Sequence, residues 1–285
     1  MKVREALMIG RKRLSDMGIA NPALDSELIL GYVLGKDRLK LLVDDEMSIT
    51  KQQLECFNDL LALRCQSTPI AYIIGRKEFY GLNFYIKPGV LIPRPETEFL
   101  VEETLNVIYS IENPLIADLC CGSGAISVAV AVNNNRVKVY ASDISDVACE
   151  VARTNIKLHG VQDRVSLLQG DLWMPFEEKN IRGFDVVVSN PPYIPKEELS
   201  TLPDDVKNEP QIALNGGTGG LEFYRRIVLR APEFLKIGGR IIFEIGWNQA
   251  HDVEIMLKET GFQDIKVIKD YAGFDRVISG VFCGL

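Results

Sequence analysis

Apolar residues recur every three or four positions along the first seventy residues, which is the spacing of an amphipathic helix. The repeat is clearest in residues 28–34 and 54–61. Asn21-Pro22 and Ser48-Ile49-Thr50 carry residue types that favour helix starts. The pattern predicts a small all-helical domain over residues 1–70.

The pattern changes in residues 71–92. Apolar and polar residues alternate from Glu78 to Ile86, with Gly81 as a candidate turn residue. Alternation with a period of two around a turn is typical of two paired strands. We predict a β-hairpin connector over residues 71–92.

Strand patterns and helix patterns alternate from about residue 114 onward, which predicts an α/β domain with a parallel sheet covered on both faces. We place this domain at residues 93–285. Its helices are expected at 125–132 and 221–235, and a long polar loop at 195–220. The expected strands cover 115–119, 137–141, 165–169, 184–189, 239–245, 264–269 and 276–282.

The fourth of these strands ends at Asn190-Pro191-Pro192-Tyr193. Ligands bind at the carboxyl ends of strands in such sheets. The amide oxygen of Asn190 and the carbonyl oxygen of Pro191 are two acceptors that suit a planar –NH₂ group, with the Tyr193 ring against its face. A Pro-Pro turn that merely ends a strand is the alternative. The tetrapeptide resembles the Asn/Asp-Pro-Pro-Tyr/Phe signature of amino methyltransferases, which use S-adenosylmethionine.

A glycine-containing loop follows the first strand. Glycines let the backbone approach a ligand closely, and an acid about twenty residues further on can bind a ribose diol. A dinucleotide fits such a unit, but its third glycine is replaced by Ser127, so S-adenosylmethionine is favoured. Asp118 then lies near the cationic methionine half. The candidate cofactor-binding residues here are Asp118, Cys120, Cys121, Gly122, Ser123, Gly124 and Asp143.

The third strand ends before Asp171-Leu172-Trp173. Asp171 is placed to accept from the adenine amino group, and Leu172 or Trp173 to line the ring. An ordinary strand-end Asp that caps the next turn is the alternative. The loop over residues 195–220 is long enough to suggest a functional role, such as closing over the substrate.

Composition limits the function classes. The net charge of −7 argues against stable nucleic-acid binding, which needs many Lys and Arg. Six cysteines without a Cys-x-x-Cys pair, with only two histidines, favour free buried thiols over a disulfide framework, and no metal site is expected. Neither a signal peptide nor a membrane span is recognisable, so we expect no membrane association and a cytoplasmic location.

Taken together, the chain resembles the bacterial and organellar glutamine methyltransferases that modify peptide chain release factors. The resemblance implies a seven-stranded class I methyltransferase (Rossmann-like) domain whose last strand is antiparallel. It also implies S-adenosylmethionine as donor and the glutamine of a Gly-Gly-Gln loop as acceptor. Its markers are residues 69–75, Phe79-Tyr80-Gly81, Pro93-Arg94-Pro95-Glu96-Thr97-Glu98, Asn190-Pro191-Pro192-Tyr193, Glu244-Ile245-Gly246 and Ala272-Gly273-Phe274-Asp275-Arg276.

The sequence differs from this family at two positions. Cys120 stands where the family has the first glycine of its loop, and Gly219 stands where it has an Asp. Arg94 and Glu96 are candidate substrate-binding residues beside the Asn-Pro-Pro-Tyr segment. Arg94 could pair with an acid of the substrate or with Glu96, and the sequence leaves both open.

Two other functions remain as alternatives. An adenine-N6 methyltransferase on DNA or RNA shares Asn-Pro-Pro-Tyr, although this chain lacks a basic recognition domain. A non-catalytic adaptor for release factors or ribosomes is the second, and the presence of Asn190 and both loop glycines argues against it. We expect an enzyme in which the domain at 1–70 docks the protein substrate, and a domain that merely stabilises the enzyme is the alternative.

Overall fold

A computed structural model describes residues 1–284. The chain forms two compact units. The first contains Met1–Arg76 and Pro203–Asn208, and the second contains Lys77–Leu202 together with the chain from Glu209 onward.

The first unit is helical, as the apolar spacing predicted. Its core consists mainly of leucines and isoleucines together with Phe57, and the core residues are spread along the segment from Val3 to Ile73. Thr50 caps one helix by accepting from the backbone N–H of Gln53. A buried ion pair joins Arg64 to Asp25 at 2.7 Å. The helices are α1 (Val3–Asp16), α2 (Pro22–Leu34), α3 (Arg38–Val43), α4 (Lys51–Cys65) and α5 (Ile70–Ile74).

A two-stranded hairpin follows, with β1 at Arg76–Phe79 and β2 at Leu82–Tyr85. Its turn has positive φ at Tyr80 and Gly81. The Asn155 side chain accepts from the backbone N–H of Tyr85 and donates to its carbonyl, which ties the second strand of the hairpin to the helix Asp146–Leu158.

The second unit is built on a seven-stranded sheet. Its strand order is β5-β4-β3-β6-β7-β9-β8, in which β9 lies antiparallel between β7 and β8 and the other neighbours run parallel. The predicted fold class, including the antiparallel last strand, is therefore confirmed. The strands are β3 (Leu115–Leu119), β4 (Lys138–Asp143), β5 (Val165–Gln169), β6 (Phe184–Ser189), β7 (Leu235–Glu244), β8 (Phe262–Lys269) and β9 (Asp275–Phe282).

One predicted boundary and one predicted loop were wrong. The helix expected to reach residue 235 ends earlier, because Pro232 lies in a short 3-10 turn and the chain then enters β7. The segment 195–220, predicted as a long polar loop, contains several short helical turns. A proline stands at the start of three of them. The remaining helices are α6 (Glu98–Ile108), α7 (Ala125–Asn133), α8 (Asp146–Leu158), α9 (Met174–Glu178), α10 (Asp204–Lys207), α11 (Gln211–Leu214), α12 (Glu222–Arg230) and α13 (Ala250–Glu259).

Candidate active site

The sheet register brings the ends of three strands together. Leu119 pairs with Ser189, and Ser189 pairs with Phe243. Cys120, Asn190 and Glu244 are the next residues of their strands, so they reach the same edge of the sheet. This edge is the carboxyl side, where open α/β sheets bind ligands.

A cleft of about 650 Å³, counting its mouth open to solvent, lies along this edge. Four residues expected to bind the cofactor line it, Asp143, Asp171, Leu172 and Asn190, and so does Pro192, which was expected to bind the substrate. The segment predicted as a loop contributes Pro210, Ile212 and Ala213 to the wall.

A smaller cleft of about 360 Å³ adjoins the first. It is lined by Ser123 and Cys121 of the glycine-containing loop and by Arg94 and Thr97. The two clefts share four lining residues, Leu91, Cys120, Gly122 and Asn190. Asn190 therefore stands at their junction.

Trp173 takes a different place from the one the sequence suggested. Its indole is buried, stacks on Phe234 at 4.3 Å between ring centroids, and donates to the Ile227 carbonyl at 3.1 Å. These contacts make Trp173 a residue of the hydrophobic core, while the neighbouring Leu172 faces the cleft at a positive φ of 48°.

The loop after β3 has the backbone that its glycines allow. Gly122 and Gly124 have φ values of 56° and 77°, and a Cβ on Gly124 would lie 3.3 Å from the Cβ of Ala152. Cys120 adopts a φ of 58° at the position where the motif that it resembles has glycine. A side chain in this region costs about 1–2 kcal/mol, so the loop keeps its route at some expense in stability.

Asp118 is fully buried at the end of β3. Its Oδ2 accepts from the Ser127 hydroxyl, whereas its Oδ1 is, within residues 1–284, the buried side-chain oxygen without a hydrogen-bond partner. Burial raises the pKa of this carboxyl to about 7. An unpaired buried acceptor of this kind fits a ligand that brings positive charge.

Asp143, at the end of β4, holds the loop as well as bordering the cleft. Its Oδ2 accepts from the Gly122 N–H and its Oδ1 from the Ser145 N–H, at 2.8 and 2.9 Å. Burial raises the pKa of Asp143 despite these bonds. These two bonds fix the orientation of the Asp143 carboxylate, which borders the first cleft.

Asp171 forms an ion pair with Arg226 of α12. The guanidinium also lies 5.7 Å from the ring of Phe223, another residue of the cleft wall. Both charged side chains are partly exposed. Arg226 was not found from the sequence, because it belongs to a helix 55 residues later in the chain.

Asn190 is held by a chain of hydrogen bonds that runs through Thr97 to Glu244. Its Nδ2 donates to Thr97 Oγ1 at 3.2 Å, and that hydroxyl donates to Glu244 Oε2 at 2.6 Å. The Tyr193 hydroxyl donates to the other oxygen of Glu244 at 3.2 Å. Tyr193 is therefore anchored at its phenol end, and its ring packs partly against the core.

Pro191 and Pro192 are buried, and Pro192 borders the first cleft. Burial raises the pKa of the Tyr193 phenol, which keeps it a neutral donor to Glu244. Thr97 and Glu244 belong to motifs that the sequence had marked, but their bonds to Asn190 and Tyr193 were not foreseen.

Arg94 does not pair with Glu96, one of the two partners considered from sequence. It forms an ion pair with Glu209, a buried carboxylate that also accepts from the Ile92 N–H at 2.9 Å. This bond fixes the chain directly before Pro210, in the cleft wall. Glu96 is half-buried in the 3-10 turn Pro95–Thr97.

The charges around the clefts favour a cationic ligand over an anionic one. Asp118, Asp143 and Asp171 lie at the ends of three adjacent strands, and the charge of Asp143 helps to raise the pKa of Asp118. A pyrophosphate beside the loop before α7 would meet the carboxylate of Asp143, which accepts from the Gly122 N–H. A sulfonium and an ammonium group are attracted by them.

The cysteines are free thiols, as predicted. The prediction that they are buried holds for Cys121 and Cys149 but was wrong for Cys56 and Cys283, which are exposed because they lie on the outer face of α4 and at the end of the last strand. No cluster of metal ligands occurs within residues 1–284. None of the helices described there is long and apolar enough to span a membrane.

Comparison with known proteins identifies the family. Residues 5–75 match the family model described as PrmC N-terminal domain, and residues 95–204 match the one described as methyltransferase small domain. A methyltransferase structure from Pyrococcus furiosus superposes with a TM-score of 0.52 at 20% identity, covering 73% of this chain and 92% of that one, which shows a shared fold.

Closer similarity is found among proteins named release factor glutamine methyltransferase. The Clostridium botulinum protein is 44% identical over 279 residues, 98% of each chain. The Clostridium acetobutylicum protein is 42% identical over 288 residues, the full length of both. With relatives this similar from end to end, the chain belongs to the release factor glutamine methyltransferase family.

Proposed function

We propose that this protein transfers a methyl group from S-adenosylmethionine to the side-chain amide nitrogen of a glutamine in a peptide chain release factor. The observation that carries this proposal is the position of Asn190, at the junction of two adjoining clefts, in a chain of this family. The glutamine of the Gly-Gly-Gln loop is the expected acceptor.

The two clefts suit the two halves of the donor, which supplies a methyl carbon activated by a sulfonium. Asp143 would accept from the ribose hydroxyls, and Asp171 from the adenine amino group, with Leu172 along the ring. The unpaired oxygen of Asp118 supports a positively charged amino-acid half near the loop of Cys120, Cys121, Gly122, Ser123 and Gly124.

Asn190 would orient the acceptor. A carboxamide nitrogen is a poor nucleophile because its lone pair is delocalised, so its two hydrogens must be held as it pyramidalises. Asn190 Oδ1 and the Pro191 carbonyl are the two acceptors at this place in the chain. They would stabilise the positive charge that develops on nitrogen during attack, and the extra proton then leaves to solvent.

No general base is needed for the attack itself, because an amide nitrogen is not usefully deprotonated beforehand. Alignment of the glutamine nitrogen with the methyl carbon and sulfur of the donor would accelerate the reaction. Positioning of this kind lowers the activation barrier by about 7–11 kcal/mol. Tyr193 and Pro192 would confine the glutamine, and Arg94 and Glu96 would contact the polypeptide around it.

The helical domain at residues 1–70 is the candidate docking surface for the release factor. Three apolar side chains of α3, Leu39, Leu42 and Val43, are 75%, 59% and 82% exposed. Apolar side chains clustered on one exposed helix are typical of interaction sites. Methylation of a release factor places the protein in translation termination, in the cytoplasm.

One assay tests the assignment. The purified protein is given labelled methyl donor with intact release factors, a Gly-Gly-Gln peptide, DNA and RNA, and the modified residue is identified by mass spectrometry. We expect label on the glutamine of the intact factor. Label on adenine in nucleic acid would replace this function with the adenine-N6 alternative, and donor binding without any transfer would support the adaptor.

A further inference from the structure

We propose that Glu244 and Thr97 are positioning residues that determine which end of the Asn190 side-chain amide faces the acceptor. The inference rests on the proposed function, because it concerns the nitrogen that Asn190 would bind. It assigns a role to a carboxylate that does not itself border either cleft, acting through a hydroxyl.

The first step is the direction of the Thr97 proton. Glu244 is 1% exposed, and each of its carboxylate oxygens accepts from one hydroxyl, Thr97 on Oε2 and Tyr193 on Oε1. An ionised carboxylate can only accept. Since Thr97 has a single hydroxyl proton, that proton is committed to Glu244.

Opposing influences act on the pKa of Glu244. Burial and the charge of Glu96 raise it, and the Thr97 hydroxyl, the Arg276 charge and the Tyr193 hydroxyl act in the opposite direction. Two hydroxyl donors aimed at the two oxygens fit the ionised form, because a protonated carboxyl would have to donate in turn.

The second step is the orientation of Asn190. With its proton given to Glu244, the Thr97 oxygen can only accept from Asn190, and the Asn190 atom at 3.2 Å is Nδ2. The oxygen and nitrogen of a carboxamide point in different directions from its carbon, so Oδ1 is turned away from Thr97. A flipped amide would place two N–H donors against the –NH₂ group of a target glutamine, where no hydrogen bond could form.

The fold explains why these three residues meet. The pairing of Ser189 with Phe243 makes Asn190 and Glu244 neighbours across β6 and β7. Thr97 closes the 3-10 turn Pro95–Thr97 that leads into α6, and it is 4% exposed. In this arrangement Asn190 donates to Thr97, and Thr97 donates to Glu244.

Steady-state kinetics on the full-length protein with an intact release factor test the inference. Thr97→Val keeps the shape of the side chain and removes the hydroxyl, and we expect kcat to fall about 10- to 100-fold. KM and donor affinity should change little. Thr97→Ser restores the hydroxyl and should return kcat to within a few-fold of the wild type, and Glu244→Gln should behave like Thr97→Val.

Thr104→Val is the matched control. Thr104 lies on α6 about two helical turns beyond Thr97, is fully buried, and gives its hydroxyl proton to the Leu100 carbonyl. The same chemical change there removes a buried hydroxyl without touching Asn190. An equal loss of kcat in Thr97→Val and Thr104→Val, or no recovery in Thr97→Ser, would overturn the positioning role.

A second measurement does not depend on turnover. The side-chain amide of Asn190 can be observed by ¹⁵N–¹H correlation NMR and assigned by its loss in Asn190→Asp. We expect one of its two protons to be protected from exchange in the wild type and in Thr104→Val, but not in Thr97→Val. Unchanged exchange in Thr97→Val would contradict the bond. If the wild type methylates no release factor, the proposed function fails while this result still decides the orientation.

Discussion

Replacing Asp118 by Asn is expected to stabilise the free protein and to weaken its binding of the methyl donor. Asp118 is fully buried, and its Oδ1 has no partner within the described chain. A carboxylate in this place costs folding energy that only a cationic ligand can return. The carboxamide of Asp118→Asn would keep an oxygen for the Ser127 hydroxyl and carry no charge.

The size of the stability gain follows from the shifted pKa of Asp118. Burial raises the pKa of Asp118 from 3.8 to about 7. A tenfold change in proton affinity is worth about 1.4 kcal/mol, so ionised Asp118 destabilises the folded state by about 4 kcal/mol above pH 7. The introduced carboxamide adds an N–H group without a partner, which costs about 1–3 kcal/mol. We therefore expect a net gain of about 1–3 kcal/mol in the free energy of unfolding at pH 8.

The gain must depend on pH. Between about pH 4 and 7 the folded wild type holds a proton that the unfolded chain has released, so its stability falls as the pH rises through this interval. Above pH 7 the loss is complete. Near pH 3 Asp118 is protonated in the folded state and mostly protonated in the unfolded chain, so the advantage of Asp118→Asn disappears there.

Urea denaturation followed by tryptophan fluorescence measures this difference. The protein has two tryptophans, Trp173 and Trp247, and both belong to the second unit, so the signal reports the unit that contains Asp118. Asp163→Asn, at a carboxyl that is 74% exposed, is the control for a surface charge. The reasoning is refuted if the stability difference between Asp118→Asn and the wild type is the same at pH 5 and pH 8.

Calorimetric titration completes this test. The donor affinity of Asp118→Asn at pH 8 should fall by about tenfold or more, since the attraction of a buried negative charge for a cationic ligand is lost. The wild type should bind the donor more weakly as the pH falls below 7, because Asp118 becomes neutral. Equal donor affinities of wild type and variant at pH 8 would show that the carboxylate does not face the ligand.

Three further predictions concern the site and the docking surface. Asn190→Ala should lower turnover by about 10²–10³ with donor affinity nearly intact, since Asn190 is proposed to bind the acceptor; near-normal initial rates would remove it from the mechanism. Asp143→Ala should weaken donor binding by about 1.5–3 kcal/mol in a titration, and unchanged affinity would leave Asp143 only its bonds to the loop. Val43→Glu should raise KM for the intact release factor but not for a Gly-Gly-Gln peptide, whereas Ile237→Glu, at another exposed apolar residue, should change neither; equal KM values for Val43→Glu and the wild type would argue against docking through α3.

Most of the fold was predictable because it depends on local patterns. The helical spacing of residues 1–70, the alternation around Gly81 and the buried runs of the sheet each correspond to an element of the structure. The segment 195–220 was harder, since its helical turns are short and polar. Short turns of this kind are stabilised by their surroundings rather than by periodicity.

The candidate site was predictable only in part. Asn190 and Asp143 were found because each lies at the end of a buried strand, and residues in that position reach the ligand-binding edge. Trp173 follows a strand in the same way, but Leu172 turns the chain with a positive φ and the indole enters the core instead. No sequence pattern reports that reversal, because it depends on the space left beside Phe234.

The partners of Asn190 lie beyond what a linear pattern can show. Thr97 and Glu244 are separated by 147 residues. The pairing of β6 with β7 places Glu244 beside Asn190, and the 3-10 turn before α6 brings Thr97 to both of them. A shift of one residue in that register would turn Glu244 to the opposite face of the sheet and leave the Thr97 proton free to point at Asn190. The chemistry attributed to one asparagine is therefore a property of the whole sheet, since the pairing of two strands decides whether its amide presents an acceptor or a donor.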